Sequence, residues 1–145
     1  VPLREFWTLF FVCELAAGYW LSWNFQVSHI SEGVPFPNGV APFSENDSGE
    51  CPIEWGKLQV VTAVDYSHGN PIMTFFCGAL NYQAVHHLFP GVSQYHYPAL
   101  APIVKEVCAK HNVPYKILPS YAAAFAAHLK YLYHMGQEDT KSKTQ

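Results

Sequence analysis

The sequence predicts an all-α membrane protein, in which one transmembrane helix is followed by cytosolic helices. Half of the 145 residues are hydrophobic and only 13% are charged, whereas about a quarter of the residues of ordinary soluble domains are charged. One apolar stretch, residues 6–25, is long enough to cross a bilayer. The apolar segments that follow it carry helical spacing or helix start and stop signals. These observations favour helices throughout.

The charge and the cysteines narrow the classes of partner and compartment. The net charge is −3, and no basic cluster occurs before the last few residues, so the sequence predicts no nucleic-acid partner. Four widely spaced cysteines form no Cys-x-x-Cys motif and are interpreted as small buried apolar residues in a reducing environment: Cys13, Cys51, Cys77 and Cys108. The chain starts with Val-Pro and carries no signal-peptide pattern, which indicates a fragment of a longer protein.

Residues 6–25 are predicted to form the transmembrane helix. At about 1.5 Å per residue, a helix of this length just crosses a hydrocarbon core of about 30 Å. Trp7 lies near one end and Trp20 and Trp23 near the other, as expected for interfacial aromatic residues. Glu14 is costly in lipid and should face other helices or a polar cavity. The alternative is a buried helix of a large soluble protein.

The helix is expected to continue to Ile30 and to end in polar residues. Gln26 and His29 are separated by three positions, so they share a helix face. If the helix leaves the bilayer here, His29 lies about one turn beyond the membrane surface. Taken alone, His29 is also compatible with an ordinary surface histidine. Residues 31–58 are rich in Pro, Gly, Asn and acids, which predicts a loop. Because this loop joins two histidine-bearing segments, it is expected to lie over the site that they would form. Residues 55–62 then favour one or two short turns of helix.

A helix is predicted over residues 71–89. Asn70 and Pro71 form a start signal, and Pro90 follows as a stop signal. The last turns of this helix carry three polar side chains at positions i, i+3 and i+4, which share one face: Gln83, His86 and His87.

Two adjacent imidazoles in an apolar, aromatic run must lose water on folding, which is costly unless each ring nitrogen finds a partner. A metal ion is one such partner, because neutral imidazole is a common metal ligand and a carboxamide oxygen can bind weakly or hold a ligand water. The other interpretation is that backbone carbonyls or water satisfy the rings. If a metal ion is the partner, the helices that follow would cap a histidine-rich metal site.

Two amphipathic helices are predicted after this segment, at residues 98–112 and 120–135. The first carries a stripe of residues at helical spacing that is expected to be buried: Leu100, Ile103, Val104, Val107, Cys108 and His111. The second is rich in alanine and is expected to dock against the protein or lie in the membrane interface. Residues 136–145 are predicted to be a disordered tail.

The segment Gln83-Ala-Val-His-His87, followed at once by Leu-Phe-Pro-Gly91, resembles the third histidine box of membrane fatty-acid desaturases. It has the form typical of the front-end group (delta-4, delta-5 and delta-6 type), in which Gln replaces the first histidine. Residues 24–30 resemble the segment that closes the last membrane-spanning helix, and residues 55–62 resemble the Trp…Gln-Val-x-Thr stretch ahead of the box. The resemblance covers most of residues 5–135. At Ala84-Val85 the group often has Ile-Glu, so a possible supporting carboxylate is absent here.

The resemblance implies that residues 1–135 are the C-terminal part of a front-end polyunsaturated fatty-acyl desaturase. Such an enzyme inserts a cis double bond by O2-dependent chemistry at two non-haem iron ions. Electrons come from cytochrome b5 and NADH-cytochrome b5 reductase, and the metal site lies on the cytosolic side of the endoplasmic reticulum membrane. The implied catalytic residues and metal ligands are His29, His86 and His87, with Gln83 as a further ligand and Asn24 and Gln26 as supporting residues.

Three alternatives stay open. A sphingolipid long-chain-base desaturase would share the Gln-x-x-His-His box, whereas a membrane hydroxylase would be expected to keep His at position 83. A non-enzymatic membrane module predicts imidazoles that point to unrelated partners. Because the first two histidine boxes of the family are absent, the segment alone is expected to be inactive and to bind iron weakly.

Overall fold

The computed structural model describes residues 1–35 and 54–142, most of them helical. Two single turns of 3-10 helix lie at Leu80–Tyr82 and Gln94–His96. The helices and strands of the described residues are α1 (Leu3–His29), α2 (Trp55–Val61), β1 (Val64–Tyr66), α3 (Pro71–Phe76), α4 (Gln83–Leu88), α5 (Tyr97–Lys110), β2 (Lys116–Leu118) and α6 (Tyr121–Ser142).

Helix α1 is 27 residues long and is buried only towards its C-terminal end. Its buried residues are Asn24, Val27 and Ser28. The preceding turns expose a series of large apolar side chains: Leu3, Phe6, Trp7, Leu9, Phe10, Phe11, Val12, Leu15, Tyr19, Trp20, Leu21 and Trp23. In the two described stretches, none of the helices combines the length and the apolar character needed to cross a membrane. The predicted span at residues 6–25 is therefore not confirmed.

Two apolar clusters hold the helices around α4. In the first, α4 packs between α2 and α5, with these buried members: Val60, Ala79, Tyr82, Val85, Tyr97, Ala101, Val104 and Cys108. The second joins the C-terminal end of α1 to β1 and α6, with these buried members: Val27, Tyr66, Cys77 and Ala124. The end of α1 and the start of α4 therefore meet between the two clusters.

A short parallel sheet corrects the all-α prediction. Strands β1 and β2 pair in register, with Val64 opposite Lys116 and Tyr66 opposite Leu118. Each strand has three residues, which is too short to show the alternation that identifies a strand in a sequence. All three residues of β1 are buried. Because the middle one is the acid Asp65, the segment also lacks the continuous apolar run that would indicate a buried strand.

The single helix predicted over residues 71–89 is wrong, because the chain breaks into α3, a 3-10 turn and α4. The start signal is correct, since the Asn70 side chain accepts a hydrogen bond from Met73 N and Pro71 is the first helical residue. The break follows from two consecutive residues in the left-handed region, Gly78 (φ 57°) and Ala79 (φ 59°). An alanine in this conformation gives no signal in the sequence.

The C-terminal helices differ from the predictions in extent and in burial. Helix α5 (Tyr97–Lys110) corresponds to the predicted helix at 98–112, but Ile103, Val107 and His111 of the predicted buried stripe are exposed. Its buried residues are Tyr97, Ala101, Val104 and Cys108. Helix α6 continues to Ser142, so the disordered tail is wrong for residues 136–142, and residues 143–145 lie outside the described part.

The predicted loop and the predicted buried cysteines are only partly covered by the structure. Residues 36–53, the middle of the predicted loop and the site of Cys51, lie outside the described residues. The short helix predicted near residues 55–62 is present as α2. Cys77 and Cys108 are buried as predicted, whereas Cys13 is exposed on α1.

Candidate metal centre

Three of the predicted ligands meet between the end of α1 and helix α4. The Nε2 atom of the Gln83 side chain lies 3.1 Å from Nε2 of His29 and 3.1 Å from Nε2 of His87. The two imidazole rings stack with centroids 4.9 Å apart and planes inclined by 17°. Gln83 and His87 share a face because they are four residues apart on one helix. We refer to these three side chains as the His29–Gln83–His87 cluster.

Both imidazoles in this cluster are oriented by backbone carbonyls. Nδ1 of His29 lies 3.2 Å from the Thr62 carbonyl oxygen, and Nδ1 of His87 lies 3.3 Å from the Gln59 carbonyl oxygen. A carbonyl can only accept, so each Nδ1 carries the proton and each Nε2 keeps its lone pair. A hydrogen bond from the second ring nitrogen is the usual means of orienting a metal-binding histidine.

The surroundings also favour the neutral form of both rings. Burial lowers the pKa of His29 below 6.5, and the neighbouring His87 and His86 lower it further, while the hydrogen bond to Thr62 opposes the shift. Burial likewise lowers the pKa of His87, against the opposing hydrogen bond to Gln59. Neutral imidazole is the form that binds metals.

The donor set fits part of a nitrogen-rich metal site. In the cluster, the Gln83 amide NH2 bridges two converging imidazole lone pairs, and a cation is the other kind of group that such lone pairs bind. The Oε1 atom of Gln83 is buried and has no hydrogen-bond partner among the residues that the structure describes. An unpaired buried oxygen is costly in a folded protein, and a metal ion or a metal-bound water would satisfy it.

His86 lies apart from the cluster. Its Nδ1 atom is 3.1 Å from the Tyr97 hydroxyl at the start of α5, and its ring centroid is 6.1 Å from that of His87. Successive helix residues do not face each other, which explains the separation. Within residues 1–35 and 54–142, no three His, Cys, Asp or Glu side chains are grouped as ligands of one metal ion. The predicted convergence of His29, His86 and His87 is therefore not found.

The two predicted supporting residues have other contacts. Asn24 is buried, and its Oδ1 atom accepts from the Tyr66 hydroxyl at 2.8 Å and from Cys77 Sγ at 3.1 Å. These bonds fasten α1 to β1 and to the end of α3. Gln26 donates to Ser22 Oγ at 3.4 Å. Within the described part of the chain, neither residue is hydrogen-bonded to an imidazole of the cluster.

Comparison with known proteins assigns the chain to a family. The family model described as fatty acid desaturase matches residues 2–119. This chain belongs to the fatty acid desaturase family.

Several curated relatives of this desaturase chain bear names of specific desaturases, which are oxidoreductases. The Delta(5) fatty acid desaturase A of Dictyostelium discoideum is 44% identical over 129 residues, which are 89% of this chain and 27% of the relative. The acyl-lipid (8-3)-desaturase of Mortierella alpina is 40% identical over 136 residues, 94% of this chain and 29% of the relative. The sn-1 linoleoyl-lipid 6-desaturase of Synechocystis is 37% identical over 113 residues, 78% of this chain and 30% of the relative.

These desaturase matches cover most of this chain but only a small part of each relative. The chain spans less than a third of the length of the curated relatives named above. No solved structure matches it. None of the three relatives named above is described as a sphingolipid desaturase or a hydroxylase.

Sequence reasoning missed the groups that orient the desaturase histidines. Gln59 and Thr62 were noted as part of a resembling stretch, but they act through their backbone carbonyls, which no side-chain pattern reveals. Tyr97 follows closely after the histidine box in the sequence. Its hydroxyl contact with His86 depends on the packing of α5 against α4.

Proposed function

We propose that this chain is the C-terminal portion of a front-end polyunsaturated fatty-acyl desaturase that inserts a cis double bond in an O2-dependent reaction. One observation carries the proposal: His29 and His87, which lie on different helices, present unprotonated Nε2 atoms to the same point beside Gln83. The family membership and the names of the relatives supply the reaction class.

The ligand assignment follows from the same geometry. His29, His87 and Gln83 would hold one non-haem iron ion, and His86, turned towards Tyr97, would contribute to the second. The two irons, when bound, supply the O2 activation needed to remove hydrogen from an unactivated methylene. The chain itself contributes oriented neutral imidazoles, because the carbonyls of Thr62 and Gln59 hold both Nδ1 protons.

The rest of the ligand set must come from outside this chain. His29, His86, His87 and Gln83 are too few to hold two iron ions, and the chain covers less than a third of its relatives. The segment on its own is therefore expected to be inactive and to bind iron weakly.

We also propose that α1 is the membrane span and that the site lies on the cytosolic side of the endoplasmic reticulum membrane. The exposed aromatic and aliphatic side chains along the first turns of α1 support this arrangement. Cytochrome b5, reduced by NADH-cytochrome b5 reductase, would supply electrons at that face, and a polyunsaturated acyl lipid would be the substrate.

The test is expression of the full-length parent in yeast fed with a panel of polyunsaturated acids, followed by gas chromatography of the acyl chains. We expect a new acyl product in the parent, and its loss when His86 and His87 are both changed to Ala. His111→Ala is the matched control, since His111 is an exposed residue at the end of α5. The control should keep the product.

Two results would contradict the proposal. A product that persists in the double variant would remove these histidines from the reaction. Absence of product from every fed acid, with the parent present in the membrane fraction, would favour a sphingolipid substrate, which analysis of long-chain bases in the same cells would detect.

A further inference from the structure

Asp65 is a fully buried carboxylate directly beside the histidine box. It lies on β1 and has no exposed surface. Its Oδ1 atom accepts a hydrogen bond from the backbone N–H of Ala84 at 2.8 Å. Its Oδ2 atom accepts from Nε2 of His68 at 3.0 Å and from the Tyr115 hydroxyl. A buried carboxylate is tolerated only when it is well hydrogen-bonded, and Asp65 meets this condition with donors from three parts of the chain.

Helix α4 packs against α2 and α5, but the N–H groups of its first turn need hydrogen-bond partners from outside the helix. It has six residues, and its N-cap residue, Tyr82, makes no side-chain capping bond. So short a helix is marginal without tertiary contacts. The N–H groups of a first helical turn have no partner within the helix, and Asp65 accepts from one of them, that of Ala84. Negative charge is also favoured at this end of a helix.

The Ala84 contact lies next to the metal-binding side chains. Gln83 is the neighbouring residue and the first residue of α4, and its amide reaches both His29 and His87. A shift of the first turn of α4 would therefore move Gln83 relative to His29, which is fixed separately by Thr62.

The other oxygen of Asp65 is held by residues outside α4. Tyr115 immediately precedes β2, and burial together with the negative charge of Asp65 raises the pKa of its hydroxyl, so it remains a donor. The His68 ring stacks on Tyr82 with centroids 4.3 Å apart, and the Tyr82 hydroxyl accepts from Gly69 N. Asp65 is thus held in place by contacts that do not involve α4.

We propose that Asp65 is a positioning residue for the metal centre, whose carboxylate fixes the start of α4 and with it the side chains of Gln83 and His87. The inference rests on the proposed function, because it concerns the metal that these side chains would hold. It assigns the role of supporting carboxylate to a residue on a strand outside the histidine box, where Ala84 and Val85 offer none.

The experiment compares purified full-length parent with its Asp65→Leu and Asp65→Asn variants. Iron per protein is measured over a series of chelator concentrations, together with the melting temperature, kcat and KM. We expect Asp65→Leu to lower iron affinity by about tenfold or more, the usual effect of losing a group that orients a metal ligand. Asp65→Asn keeps an oxygen for Ala84 N–H and should retain most of the iron. Glu106→Gln, at an exposed acid on α5, is the control and should match the parent.

A purely structural role predicts a different pattern. If Asp65→Leu lowers the melting temperature while folded protein keeps its iron affinity and kcat, the proposal is overturned. If Asp65→Leu does not accumulate, Asp65→Ser replaces it, because the short hydroxyl cannot reach Ala84 N–H yet leaves room for water. Parental iron affinity in Asp65→Ser would also overturn the proposal.

The results for the unsubstituted parent distinguish a failure of the role of Asp65 from a failure of the proposed function. A parent that binds iron and forms product, with Asp65 variants that behave like it, removes the role of Asp65 alone. A parent without iron and without product contradicts the proposed function, and the role of Asp65 with it.

Discussion

At the scale of single residues, the candidate metal centre depends on groups that point-substitution experiments usually overlook. His29 and His87 each give their Nδ1 proton to a backbone carbonyl, and a side-chain substitution cannot remove a carbonyl. His86 differs, because its Nδ1 partner is the hydroxyl of Tyr97. The orientation of His86 can therefore be tested without touching a proposed ligand.

Tyr97→Phe removes this hydroxyl and keeps the buried ring that packs in the first apolar cluster. We expect desaturation by the full-length parent to fall about tenfold, as when the hydrogen-bond partner of a metal-binding histidine is lost. The measurement is product formation per amount of membrane protein.

Tyr95→Phe is the matched control, because Tyr95 is 86% exposed and lies two residues away. It should leave product formation unchanged. Equal activity in the parent and in Tyr97→Phe would show that the contact with His86 is not needed for the reaction.

The sequence predicted the members of the cluster and missed what holds them. Gln83 and His87 share a face by helical spacing, and the resemblance added His29 from a distant helix. The carbonyls of Thr62 and Gln59 were not predictable, because every residue carries such a group. Asp65 gave no signal either, since an isolated acid in a sequence reads as exposed.

At the scale of elements, the main feature is the left-handed break between α3 and α4. Gly78 and Ala79, both in the left-handed region, interrupt the helix after Cys77, and α4 starts only at Gln83. A continuous helix over residues 71–89 was a reasonable prediction, because the start signal at Asn70 and the stop at Pro90 are both present. The break depends on the packing of the 3-10 turn against β1. No local sequence pattern reveals such a contact.

Gly78→Ala tests the break. Gly78 has a φ of +57°, and the nearest atom to an added Cβ would be Gln94 Oε1 at 4.0 Å, so the cost arises from the backbone and not from a clash. We expect the free energy of unfolding to fall by about 1 kcal/mol. Denaturant or thermal unfolding in detergent measures it.

Gly56→Ala provides the comparison, because Gly56 lies in helix α2 and a Cβ there would meet nothing within 4 Å. It should leave the stability unchanged or raise it by about 0.5–1 kcal/mol. A Gly78→Ala variant as stable as Gly56→Ala would argue against a left-handed residue at the break.

At the scale of the whole molecule, α6 fixes the end of α1 that carries His29. Trp23 packs against Phe125 with ring centroids 5.2 Å apart and against His128 at 5.8 Å. The buried His128 donates from Nδ1 to the carbonyl of Ile30, the residue after His29. Helix α6 lies beyond the residues matched by the family model, which end at residue 119.

Phe125→Ala removes the main ring that α6 places on Trp23. Because Phe125 is only partly buried, we expect a loss of about 2–3 kcal/mol, below the range for a fully buried phenylalanine. The thermal midpoint of the full-length parent in detergent measures the change.

Tyr133→Ala, at a residue 66% exposed on the same helix, should change the stability by no more than about 0.5 kcal/mol. Similar losses in the two variants would mean that α6 is not held through Trp23.

The predominantly helical architecture was predictable because helix signals are strong and local. The two-stranded sheet was not, because its strands pair across the sequence between residues 64–66 and 116–118. The apolar exposed surface of α1 was expected from the aromatic-rich segment 6–25, while its placement in a bilayer stays a prediction.

The bond between His128 and Ile30 also sets an order of events during synthesis. The two residues are 98 positions apart, and a ribosome adds about 5–20 residues per second. His29 therefore leaves the ribosome roughly 5–20 s before the group that secures the turn behind it. In that interval the groups that contact His29 emerge in turn, first the carbonyl of Thr62, then the amide of Gln83 and the ring of His87. The contact from α6 is consequently the last of these to become available during synthesis.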